Sequence, residues 1–262
     1  MSAILIASLS SACTKDGGTS ASNPEAMESG TDEVPTKGPI TLHVFGPELP
    51  FMLPGSRTMK QFAWSELMAS GDAGVGTITG GGGEIIGFDG KFFAAVPDDP
   101  VPHTVSDELT PTGVVTTFTP EHSMTVPGTL DLAEFQAALD RAFERTETFV
   151  YVFKARAHLE LVEYQLAGPN PSKDVVEEIR AGRSQEAVTI GTPKRVLRDV
   201  DATLLGIRSP GYLNTVFEVP YHIHFLADDK SALGHITRLQ ATDIEVDWAH
   251  ARSVNVRYWS TE

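Results

Sequence analysis

The stretch "YHIHFLADDKSALGH", residues 221–235, decides how this 262-residue chain is read, because it gathers three of the eight histidines within fourteen positions. His222 and His224 are two apart. On a strand, residues i and i+2 point to the same face, so both imidazoles project together while Tyr221, Ile223 and Phe225 turn to the other face and into a core. "DDKSALG" has the composition of a reversing loop. His235 follows Gly234 at the start of "HITRL", a returning strand. A third imidazole beside the first pair gives the facial three-histidine arrangement of catalytic zinc, with a coordination position left for substrate or water. The spacing does not choose the metal, since three imidazoles suit Zn, Fe, Ni or Cu. Nor does it choose the reaction: such a metal ionises water or acts as a Lewis acid on a carbonyl oxygen. A cupin strand also carries His-x-His but wants a glutamate soon after it, and here only Asp228 stands in that place.

The rest of the composition narrows the class. With 41% hydrophobic and 21% charged residues the chain is ordinary globular material. Twenty basic against 35 acidic residues give a formal charge of −15, which disfavours nucleic acid and anionic membrane surfaces as partners. The sole cysteine, Cys13, rules out an intramolecular disulfide and a thiolate metal cluster. Its surroundings are informative: "MSAILIASLSSAC" (1–13) is apolar and small, and residues 14–38 are rich in Gly, Ser, Thr and Pro. The pair resembles a bacterial lipoprotein signal and its tether, with Cys13 as the lipidated residue. The expectation is an exported protein, lipid-anchored or periplasmic, and a cytoplasmic one if residues 1–13 are not a signal. The folded domain is expected over residues 39–262.

Along that domain, "ITLHVFG" (40–46) alternates like a strand, and 58–70 reads as a short helix stopped at Gly71. Residues 74–96 form a meander with an Asp89-Gly90 turn. A Pro-rich loop covers 98–113, and "GVVTTFTP" (113–120) is a further β run. "DLAEFQAALDRAFERT" (131–146) is the clearest helix, capped by Asp131 with a stripe of Leu132, Phe135, Leu139 and Phe143. Residues 149–165 alternate in two parts, and 243–259 reads as a final strand pair. The fold class is α+β: two packed, largely antiparallel or mixed β-sheets with a few helices, and the metal site on a β-hairpin.

"LLGIRSPGYLNTVFEVPYHIHFLADDKSALGHI" resembles the metal-binding signature of the α-acetolactate decarboxylases, in which a Gly-His follows eleven positions after the second histidine of a "GYHLHFL" strand. "GVGTITGGGGEIIGFDGKFF" and "TPTGVVTTFTP" resemble the upstream parts of that family, so the similarity covers about residues 40–250. It implies a two-sheet α+β fold and a zinc ion on His222, His224 and His235, other divalent metals remaining open. It also implies cleavage of acetolactate, a small hydroxy-keto acid, to acetoin and carbon dioxide through a metal-chelated enediolate. Glu84 matches a pocket glutamate that orients substrate or relays the proton, and Thr77 a small polar pocket position. Where the family carries an arginine for the substrate carboxylate, the matching position here is Gln165, which brings no charge. Arg208 is then a candidate to approach the substrate from another side. The family also has a tail glutamate that folds back to the metal, whereas Glu262 stands too near the last strand to do so. These two departures imply weakened catalysis and keep open a second reading, a metal- or ligand-binding lipoprotein on the same scaffold. A homodimer is compatible with either.

The remaining motifs are bland. His43, His103, His122, His158 and His250 stand singly and read as structural or exposed. "GGGG" (80–83) lacks the Gly-Lys-Ser/Thr of a phosphate loop, and Ser209 lacks the context of a nucleophile elbow.

Overall fold

The computed structural model describes residues 40–46, 61–79, 82–168 and 193–259. The signal-like segment (1–13), the tether (14–38), Glu262 and most of the polar connection 168–200 lie outside the described residues. β1 (Ile40–Phe45) alternates buried and half-buried positions, as a strand with one face in a core must. β2 (Phe62–Ala63) leads into α1 (Trp64–Met68), which buries Trp64 and Leu67. β3 (Ala73–Thr77), β4 (Glu84–Phe88) and β5 (Lys91–Val96) form the antiparallel meander read from the sequence. At its Asp89–Gly90 turn both residues have positive φ, 55° and 75°, as a tight primed hairpin requires.

The Pro-rich segment read as a loop is partly strand: β6 (Asp99–Thr104) and β7 (Leu109–Thr110) lie within it. β6 is an edge strand, where Pro100 and Pro102 cost little because alternate N–H groups point away from the sheet. β8 (Gly113–Thr116), β9 (His122–Val126) and β10 (Leu130–Asp131) precede α2 (Leu132–Ala142). Asp131 caps α2 as expected. Its carboxylate accepts from the Glu134 N–H at 2.8 Å while Glu134 accepts from the Asp131 N–H at 2.9 Å, a reciprocal capping box. Phe135 and Leu139 are buried beneath the helix, and Phe143 is buried just past its end.

β11 (Val150–Gln165) is one 16-residue strand rather than two parts. β12 (Arg195–Leu197), β13 (Val200–Arg208), a 3-10 turn (Gly211–Leu213), β14 (Tyr221–Ala227) and β15 (Leu233–Arg257) complete the chain. β15 corrects the sequence reading, because the strand returning at His235 and the final "pair" over 243–259 are one strand of 25 residues. Register breaks against β11 at Arg156/His158, Leu159/Leu161 and Glu163/Tyr164 let so long a ribbon coil without losing its partner.

The class is α+β, with antiparallel pairing throughout except for the parallel β1–β15 contact. Hydrogen bonding runs continuously through 13 strands, with β2 and β7 apart as a small ribbon. Within it β11 pairs β13, β13 pairs β14, β14 pairs β15 and β15 pairs β11 again, closing a four-stranded ring. One core, with Phe153, Leu204, Phe225 and Val246, fills the ring beneath α2. A second core lies on the ring's outer face, where Leu205, Leu226 and Leu233 meet Leu42 of β1, Val75 of β3 and Ile86 of β4. The histidines sit beside that second core.

Candidate metal centre

β14 splits its residues as the period of two requires. Tyr221, Ile223 and Phe225 enter the ring core, and Leu226 joins the outer core, so His222 and His224 share the outer face with Leu226. The β14–β15 register sets His224 opposite His235, and the β11–β15 register sets Gln165 opposite His235 on its other side. Gln165, His235 and His224 thus form one row across three neighbouring strands, where directly opposed Cβ atoms stand about 5 Å apart. Gly234 is needed next to this row. A Cβ there would lie 2.6 Å from the Tyr164 ring and 2.7 Å from the Gln165 carbonyl oxygen.

The three imidazoles are buried and converge, each offering a ring nitrogen within 4.8 Å of the others; they are the one such group among the described residues. His222 Nε2 and His224 Nε2 are 2.9 Å apart. His224 Nδ1 donates to the Ile85 carbonyl at 2.9 Å, which ties β14 to β4 and leaves the Nε2 lone pair facing the cluster. Burial, with repulsion from the neighbouring imidazoles added, holds His224 well below the ordinary histidine range, and burial with the charge of His222 does the same for His235. Buried imidazoles with converging nitrogens are the donor set a divalent metal takes, so the residues fit the group.

Two buried carboxylates flank the cluster. Glu84 Oε2 lies 3.4 Å from His224 Nε2, while its Oε1 accepts from the Ala167 N–H at 3.0 Å. Gly82, at φ +80°, brings the loop so close to Ala167 that a Cβ would stand 2.0 Å from its carbonyl oxygen. Gly82 and Gly83 therefore serve the approach that holds Glu84. On the other side Glu218, 3% exposed, sets Oε2 3.9 Å from His222 Nδ1 and Oε1 3.7 Å from His235 Nε2.

Of the residues singled out from the sequence, His222, His224, His235, Glu84 and Gln165 come together. Thr77 stands beside them as the cross-strand partner of Glu84. Arg208 does not join them. It pairs with Tyr221 on the face opposite the histidines, and its guanidinium donates to Asp140 Oδ1 at 3.1 Å and to the Thr146 carbonyl. A side chain so engaged is a tie between β13 and the end of α2, which corrects the substrate-binding role considered for it. Asp228 is exposed at the hairpin tip, so the cupin-like arrangement is absent. His103, His158 and His250 pair with Glu108, Asp201 and Glu121, and His122 stacks on Trp248. Glu218 escaped the sequence reading. Its one signal was being the only acidic residue between Asp201 and Asp228, four positions before His222.

Fold and site together define an α+β scaffold with a buried three-histidine cluster, flanked by carboxylates, of the kind that holds a metal. The comparisons give the family. The family model described as alpha-acetolactate decarboxylase matches residues 52–262. The alpha-acetolactate decarboxylase of Methylococcus capsulatus is 31% identical over 187 residues, 70% of this chain and 67% of that protein. Those of Methanosarcina mazei and Bacillus subtilis are 29% and 24% identical over 67% and 76% of this chain, spanning 58% and 75% of their own lengths. Among solved structures, acetolactate decarboxylase from Bacillus subtilis subspecies spizizenii superposes with a TM-score of 0.71 at 22% identity, covering 84% of this chain and 90% of that one. The chain belongs to the alpha-acetolactate decarboxylase family, whose members are carboxy-lyases.

Proposed function

We propose that the protein decarboxylates 2-acetolactate to acetoin and carbon dioxide, with a zinc ion held by His222, His224 and His235. The observation that carries this reading is the buried convergence of those three imidazoles on one sheet face, in a chain of this family. When bound, a divalent metal would supply the Lewis acid toward which the hydroxyl and ketone oxygens of the substrate are drawn. As the bond to the carboxylate breaks, the electron pair it leaves passes into the neighbouring carbonyl as an enediolate, and a proton added at carbon gives acetoin.

The chain's own residues do the rest. Glu84 has one oxygen fixed by the Ala167 N–H and the other beside His224, so Oε2 is the atom placed to hand over that proton. Gln165, buried across from His235, offers an amide N–H to the substrate carboxylate but no charge. The same reading takes the protein as exported with Cys13 lipidated; a Cys13→Ser variant that still partitioned into membranes would sink that part.

The test is acetoin formation from racemic acetolactate by the zinc-loaded full chain, against a His224→Ala variant and the spontaneous rate. Acetoin well above background, lost in the variant, is the expected result. A folded, zinc-loaded protein with no excess acetoin would refute the decarboxylase reading. Neutral Gln165 in the site would then favour a ligand-binding role.

A further inference from the structure

Glu218 has no part in the function as described, yet it is among the most deeply buried acids of the described residues. We propose that Glu218 is a fourth protein ligand of the metal, converting the three-histidine face into a set of three histidines and one carboxylate. The inference rests on the metal-site reading above.

The geometry carries it. Ligand atoms each about 2.1 Å from a common ion stand roughly 3.0–3.5 Å from one another. Glu218 Oε1 lies 3.7 Å from His235 Nε2, and Oε2 lies 3.9 Å from His222 Nδ1, so the carboxylate reaches two different imidazoles. A shift of a few tenths of an ångström brings Oε1 to ligand spacing from His235 Nε2. Glu84 differs: it reaches one imidazole, and its second oxygen is held by the Ala167 amide. The proton-donor role given to Glu84 keeps it beside the substrate rather than on the metal, and its glutamine variant tests that.

The backbone around Glu218 is fixed from both sides. Phe217 is buried in the outer core, and its N–H donates to the Leu213 carbonyl at 3.0 Å. On the far side the Pro220 carbonyl accepts from the Ser209 N–H at 2.8 Å. Little conformational freedom is left to lose when the carboxylate engages an ion. Two consequences follow. The carboxylates of Glu84 and Glu218 together balance the charge of a divalent cation inside the protein. A fourth protein ligand also means that a substrate binding through two oxygens brings the total to six, so the site suits an ion that accepts five or six ligands.

The experiment strips the full-length protein with a chelator and titrates it with Zn2+ and with Co2+, whose visible absorption reports its ligands. Wild type, Glu218→Gln, Glu84→Gln and His224→Ala are compared. Glu218→Gln is expected to weaken both metals at least tenfold and to change the Co2+ spectrum at saturation, while Glu84→Gln leaves that spectrum in place. An unchanged spectrum in Glu218→Gln overturns the ligand assignment. If wild type binds metal and forms acetoin, that result leaves the decarboxylase reading standing. Wild type taking up no metal, or His224→Ala keeping wild-type affinity, removes the metal site and this inference with it. Should Glu218→Gln fail to fold, a crystal of the Co2+-loaded wild type decides. A Glu218 oxygen about 2.0–2.3 Å from the ion supports the assignment, and one beyond about 3 Å overturns it.

Discussion

Replacing Arg208 by alanine tests whether its guanidinium holds the fold or meets the substrate. Arg208 is 6% exposed, and its Nε donates to Asp140 at 3.1 Å. A second nitrogen donates to the Thr146 carbonyl, and Glu147 lies 3.9 Å away on an exposed side chain that water screens. A hydrogen bond to a charged group contributes about 1.5–3 kcal/mol, and part of the Asp140 share returns on truncation because that side chain is 42% exposed. Tyr221 still donates to Asp140 at 2.8 Å, which limits the loss further. The net cost is about 2–3 kcal/mol. For a domain of 150–250 residues that lowers Tm by roughly 4–12 °C. A melt followed by circular dichroism measures it, and acetoin formation well below the new Tm measures activity. Activity per folded molecule should stay within about threefold of wild type. A direct contact to charge developing in the reaction would instead cost on the order of 100-fold or more. An activity loss of that size with an unmoved Tm would falsify the structural assignment and return Arg208 to the substrate.

Gly234→Ala should destabilise by about 1–3 kcal/mol, because the added methyl meets the Tyr164 ring and a backbone carbonyl that has no rotamer to escape into. The same strain pushes on the row holding His235 and Gln165, so zinc affinity should fall with it; a Tm within about a degree of wild type would contradict the contact. Zinc itself should raise the wild-type Tm in a concentration-dependent way, adding about 2.7 kcal/mol at a hundred times its Kd, and a chelator should reverse the gain. His224→Ala should show no such response in calorimetry, and an equal response would put the ion elsewhere.

The residues within one element carried most of what the sequence revealed. Alternation in "YHIHF" put His222 and His224 on one face, Asp131 announced the start of α2, and Asp89-Gly90 announced its turn; each rests on contacts between residues a few positions apart. Family resemblance added Glu84 and Gln165, which local pattern alone would have left as a turn acid and a strand amide. What remained hidden depended on register between distant segments. Gln165 meets His235 because β11 pairs with β15 from end to end of β11, and Arg208 shares a face with Tyr221 because β13 and β14 pair in one register and not the next. A slip of one residue would have turned Arg208 toward the histidines. Glu218 enters the site only because Phe217 is drawn into the outer core beside it. The sequence by itself determined that three imidazoles would gather on a hairpin. Closure of the four-stranded ring decided which amide would stand beside them, and the packing of β4 and Phe217 on its outer face decided which carboxylates.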